Sequence, residues 1–193
     1  MVSPYKNKNI SEWKSITEKL VDTFPINKRE LKKFTEDAFK DYLNITISSS
    51  KLQVGKDIFF PAQATGVIID KLIGNIIRKN KGTEWKSGDK KIEKDVVNTT
   101  NDNYSFEIKT SSSKNGIFGN RSMGHISKDK IKSSSGYYLI INYKLPKEND
   151  KSLEIYKIRF GWIDDFDWKG QASPTGQQST ISKDCKEFKL LDL

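Results

Sequence analysis

The sequence predicts a mixed α/β (α+β) domain, a central sheet of about four or five strands flanked by helices, with a helical segment leading into it. Three patterns carry that prediction. Apolar residues recur at spacings of three and four through the first part of the chain, then alternate with period two from residue 84 onward. One helical stretch is apolar nearly throughout, which requires burial against a sheet. Gly136–Lys144, rich in Tyr, Leu and Ile, reads as a central strand.

The elements follow in order. Ser11 stands as a plausible N-cap before Trp13, Ile16, Leu20 and Phe24, and Pro25 ends that helix. Leu31, Phe34, Ala38 and Tyr42 form a second amphipathic stripe. Ser48, Ser49 and Ser50 mark a loop, and Pro61 opens a third helix carrying Val67, Ile68, Ile69, Leu72, Ile73, Ile76 and Ile77. Residues 92–98 read as a strand, 99–103 as a polar turn, and 104–110 as a second strand. Tyr104, Phe106 and Ile108 lie on one face of it, with Ser105, Glu107 and Lys109 on the other. Residues 153–163 supply a further strand. We expect a single domain over 1–193, with a helical segment at 1–50 and a core at 58–180.

Composition narrows the chemistry. The 193 residues hold 34 Lys+Arg against 25 Asp+Glu, a formal charge of +9, with one His and one Cys. A single Cys185 excludes a disulfide framework and a cysteine zinc cluster. His125 alone leaves little material for a Ser-His-Asp triad; as one residue it reads as a loop hydrogen-bonder. No run of 18 apolar residues exists, and the first ten residues lack the apolar core of a signal peptide. The expectation is a soluble, cytoplasmic protein with no membrane contact and no organic cofactor. The excess charge is mostly lysine and has two readings: a solvated surface reflecting an AT-rich genome, or affinity for an anionic partner.

One constellation points to chemistry. Glu107 and Lys109 share a strand face. If the preceding strand forms a hairpin turning near Asn101, facing residues sum to about 202 in number, and Asp95 falls opposite Glu107. A slip of one residue would turn Asp95 away. Two carboxylates so close repel unless a cation lies between them, and their hard oxygens suit Mg²⁺. Lys109 beside them stays an ammonium, suited to orienting water and stabilising negative charge. The alternative is an exposed strand face carrying a salt bridge.

Asp95, eleven intervening residues, then Glu107-Ile108-Lys109 resembles the active-site signature of the PD-(D/E)XK nucleases. The stretches 86–95, 105–111, 117–122 and 158–163 are similar to type II restriction endonucleases of the ScaI-like group, with likeness over roughly residues 61–180. Lys94 stands where that signature often has proline. The resemblance implies a restriction-endonuclease-like core. It also implies that Asp95 and Glu107 are metal ligands, Ile108 offers its carbonyl, and Lys109 is the catalytic lysine. The implied reaction is Mg²⁺-dependent hydrolysis of both strands of double-stranded DNA, leaving 5′-phosphate ends. Glu84 and Gln63 are weaker accessory candidates.

Between Lys109 and Lys132 stand six basic residues and one acid, a charge of +5 over 24 residues. Such a stripe suits phosphate attraction. Within it, Ser111, Ser112, Lys114, Asn115, Asn120 and Arg121 are the expected DNA contacts, since Asn and Arg read base edges by paired hydrogen bonds. Gln171, Gln177 and Gln178 are secondary candidates. A type II enzyme cutting a short palindrome as a homodimer follows from symmetry, because one site per chain cuts one strand. A non-specific, repair or phage nuclease of the same superfamily, or a non-enzymatic DNA-binding module, is the alternative.

Overall fold

The computed structural model describes residues 2–120, 123, 133–171 and 178–193. Arg121, His125 and Gln177 lie outside them. Helix α1 spans Ile10–Asp22 and starts two residues earlier than an N-cap at Ser11 predicts: the Asn9 N–H donates to Glu12 Oε2 at 2.9 Å. Helix α2, Lys28–Leu43, opens on a reciprocal cap in which Asn27 and Glu30 exchange side-chain and backbone bonds. Helix α3, Ala62–Lys81, follows Pro61.

Nine strands follow among the described residues: β1 Trp85–Ser87, β2 Val96–Asn98, β3 Phe106–Ser111, β4 Phe118–Asn120, β5 Gly136–Lys144, β6 Glu154–Ile163, β7 Trp168–Gly170, β8 Gln178–Ile181 and β9 Leu190–Asp192, with the short helix α4, Lys183–Phe188, before the last. The main sheet has the order β1-β2-β3-β5-β6-β9. Its β3–β5 pair is parallel and its other pairs are antiparallel. A second sheet, β4-β8-β7, packs over one face. The expected four or five strands thus become a six-stranded sheet and a three-stranded one. The additions are three or four residues long, too short for alternation to register.

The expected strand over 92–98 shortens to β2. Glu93 draws residues 88–93 into a loop by accepting from Lys86 Nζ of β1 and from the amides of Asp89 and Lys90. The strand expected over 104–110 begins at Phe106 instead, because Asp102–Tyr104 form a turn of 3₁₀ helix. Strand β5 has the bounds read from the sequence.

One face of the main sheet carries Phe106, Ile108, Leu139, Ile141 and Phe160, covered by all three long helices. The first fifty residues belong to this core: Val21, Phe24, Leu31, Phe34 and Phe39 are buried in it, and the Phe24 ring lies 4.7 Å from both Tyr137 and Phe160. Tyr138, Ile140 and Ile163 on the other face pack against Ile117, Trp168 and Ile181 of the second sheet region. Helix α3 lies unusually close to the sheet. A Cβ on Gly66 would stand 2.7 Å from Thr110 Oγ1, and one on Gly74 2.9 Å from the Ser87 backbone. This approach brings the helix over the edge of β3 where the site forms.

Candidate active site

Strand β2 meets β3 through the single pair Val96↔Phe106, whose numbers sum to 202. Beyond it the edge of β3 is open. Asp95, just before β2, closes that edge with its side chain: Oδ2 accepts the Ile108 amide at 2.8 Å. Period-two alternation sends Glu107 and Lys109 to the same face, opposite the one on which Ile108 enters the core. Lys109 Nζ lies 3.0 Å from the Ile108 carbonyl, 3.3 Å from Glu107 Oε2 and 3.7 Å from Asp95 Oδ2. Glu107 is only 5% exposed, and its Oε1 lies 3.6 Å from Lys94 Nζ. Lys94 is held in turn by the carbonyls of Ser133 and Ser135.

A carboxylate that the sequence reading passed over joins them. Asp70 of α3, one helical turn after Gly66, has Oδ1 buried with no hydrogen-bond partner among the described residues. Burial first, then the charges of Asp95 and Glu107, push its carboxyl well above the ordinary range, against the pull of Lys109. Asp95 is raised too, by burial and by Glu107, while Lys109 and the Ile108 amide oppose the rise. Burial works against the charge on Lys109, but Asp95, Glu107 and Asp70 together hold its ammonium above the usual value. Asp70 was legible in one respect. It is an acid at position i+4 from Gly66 and i−3 from Ile73, on the stripe that α3 buries.

A cleft of about 550 Å³ opens beside the cluster, lined by Gln63, Asp70, Lys109, Ser111, Ser112, Asn120 and Gln178 among others. Asn120 and Gln178 face each other across β4 and β8 at its rim. Lys114 and Asn115 occupy the other side of the same loop. Lys114 Nζ stands 5.7 Å over the Tyr156 ring, and Asn115 accepts from Arg159 at 3.1 Å. Glu84 lies away from the cluster, beside Thr99 at the far end of the β1–β2 ladder. Gln171 pairs with Gln178 through its amide.

The donor set fits a hard divalent cation: carboxylates and a carbonyl already converge on one positive group, and a buried Asp70 oxygen lacks a hydrogen-bond partner among the described residues. Among the described residues no three carboxylate, His or Cys side chains are yet drawn into a metal-binding group. Lys109 stands at the point they share.

A mixed sheet flanked by helices, with this cluster on its parallel pair, defines a restriction-endonuclease-like core. Residues 3–193 match the family model described as ScaI restriction endonuclease. The chain is also 31% identical over 191 residues to "Type II restriction enzyme ScaI" of Streptomyces caespitosus, covering 98% of this chain and 83% of that protein. No solved structure matches it. The chain belongs to the ScaI restriction endonuclease family and is a type II restriction endonuclease. The match reaches well beyond residues 61–180 and takes in the N-terminal helices. Enzymes of this kind generally use a divalent metal.

Proposed function

We propose that the protein uses Mg²⁺ to cut both strands of double-stranded DNA at a short palindromic sequence, leaving 5′-phosphate ends. It would act in the cytoplasm as a homodimer, one site per strand. The observation that carries this reading is the convergence of Asp95, the Ile108 carbonyl and Glu107 on one point beside the 550 Å³ cleft.

In this reading Asp95, Glu107 and Ile108 would hold the metal, with the Asp70 carboxyl of the helix supporting them. A divalent cation held there would supply Lewis-acid polarisation of the phosphodiester. The chain's residues do the rest. The Ile108 amide fixes Asp95, and Lys94 steadies Glu107. Lys109, kept protonated by its carboxylates, orients the attacking water and meets the charge that grows on the phosphate. Water oxygen bonds to phosphorus and releases a proton to solvent, the bond to the 3′-oxygen breaks, and that oxygen takes up a proton from solvent. Ser111, Ser112 and Asn120 contact DNA from the cleft, with Lys114, Asn115 and Arg121 completing the contact set.

Digesting a plasmid with purified protein and Mg²⁺ tests the reading. Discrete bands with sequenced 5′-phosphate ends are expected, whereas a smear would indicate a non-specific nuclease. Asp95→Ala and Lys109→Ala should each slow cleavage by about 10²–10⁴-fold while duplex binding in EDTA persists. Normal cutting by both variants would overturn the site assignment.

A further inference from the structure

The loop 111–116 has a second pocket on its far side. It measures about 420 Å³ and presents five cations, Lys14, Lys157, Arg159, Lys183 and Lys186, against two carboxylates, Glu187 and Asp192. Arg159 is its centre and is unusual. It is 4% exposed, yet no described carboxylate lies within ion-pair distance. Its guanidinium donates to two neutral amide oxygens, Asn115 Oδ1 at 3.1 Å and Asn142 Oδ1 at 2.5 Å, and its Nε has no hydrogen-bond partner among the described residues. Burial pulls its pKa down, with Asp192 resisting. A desolvated cation held by neutral groups is costly, and an anion in the adjoining pocket offsets that cost. None of the four lysines has an ion-pair partner among the described residues, and Lys186 reaches the Asn115 carbonyl at 3.5 Å.

The position says which anion. Lys109, Ile140 and Arg159 form one row across β3, β5 and β6, so all three side chains leave the same sheet face. Arg159 is therefore two strand spacings, ~10 Å, from Lys109. Each strand of a duplex offers a phosphate every ~3.4 Å along its axis, and the winding of the backbone makes the spacing through space about twice as large. The loop between the two sites is fastened to both. Its Ser111, Ser112 and Ser113 line the cleft, while Asn142 donates to the carbonyls of Ser113 and Gly116 at 2.8 Å. We propose that the Arg159 pocket is a second phosphate site, gripping the backbone of the duplex one or two nucleotides from the phosphate at Lys109. The inference rests on the DNA-cleaving reading above. Through Asn115 and Asn142, occupancy at Arg159 also fixes the loop that reaches into the cleft.

The test is equilibrium binding in EDTA of fluorescent duplexes, one containing the cleavage sequence and one lacking it, across a salt series. The variant Lys157→Ala/Lys186→Ala changes two side chains outside the core, and a thermal melt matching wild type establishes that it folds. The expected result is weaker binding of both duplexes by the same factor, with the slope of log K against log salt reduced by about 1. A slope and affinity equal to wild type would overturn the proposal. So would loss of inorganic phosphate binding, measured by calorimetry, with the duplex slope unchanged, because the pocket would then serve a free anion. Wild-type protein that binds neither duplex would sink the DNA-cleaving reading itself, and this site with it.

Discussion

Two lysines in this molecule are each surrounded by carboxylates, and they are treated in opposite ways. Lys189 is fully buried between Asp164 and Asp167, with its Nζ 2.8–3.0 Å from three of their oxygens. The fourth oxygen, Asp164 Oδ1, accepts from Trp162 Nε1, and Ser3 and the Asp164 amide add further donors. The rings of Tyr5 and Trp13 cover the ammonium at 4.3 Å. Around Lys109 the bonds are longer and fewer, one Asp70 oxygen has no hydrogen bond among the described residues, and a cleft gives access. A saturated network fixes one structure, whereas an undersupplied one is ready to receive a ligand. The first joins the N-terminus, the Asp165–Asp167 turn and the C-terminus; the second awaits chemistry.

Removing Lys189 is the largest way to sharpen the contrast. Lys189→Ala strands two buried carboxylates and should cost about 3–5 kcal/mol of stability. That corresponds to a drop in Tm of roughly 6–20 °C for a chain of this length. Below the lowered Tm, cleavage per folded molecule should match wild type. A variant that melts normally, or that stays folded but no longer cuts, breaks the distinction between the two clusters.

How much of this was legible differs between the same two regions. The hairpin register was, because a turn near Asn101 fixes a sum of 202 and Val96↔Phe106 obeys it. The long elements were legible too: α3 and β5 are long enough for their periods to show. Asp70 was not singled out, since Ile68, Ile69 and Leu72 around it read as burial, and only proximity to β3 gives its charge a purpose. The Lys189 network joins residues 3, 164, 167 and 189, and no local pattern encodes such a meeting. The short strands β4, β7 and β9 fall below the length at which alternation can be recognised.

Asp70 offers the next largest effect, with two readouts that move in opposite directions. Asp70→Asn keeps the shape but removes a carboxyl whose ionisation burial resists. Cleavage should fall by about 10–100-fold, the usual loss when a group supporting a metal site is removed. In EDTA the variant should melt no lower than wild type and, at neutral pH, somewhat higher. At Lys189 stability falls and chemistry survives, while at Asp70 chemistry falls and stability survives. A variant that loses both would place Asp70 with the structural carboxylates.

The smallest effect tests the support behind Asp95. Glu93 accepts from Lys86 Nζ at 2.8 Å and from the amides of Asp89 and Lys90, shaping the loop that leads to Asp95. These bonds, the Lys86 contact first, hold its carboxyl down to about 2 against an ordinary value of 4.5. A depressed carboxylate contributes stability above its unfolded pKa and loses it as pH falls through the folded one. The Tm advantage of wild type over Glu93→Gln should therefore be constant above about pH 5 and shrink between 4.5 and about 2. Because the Lys86–Glu93 pair is partly exposed, the advantage should also be small and weaken with salt. A gap that widens on acidification would mean that Glu93 does not brace the loop as a carboxylate, leaving the Asp95–Ile108 bond to position the metal ligand alone.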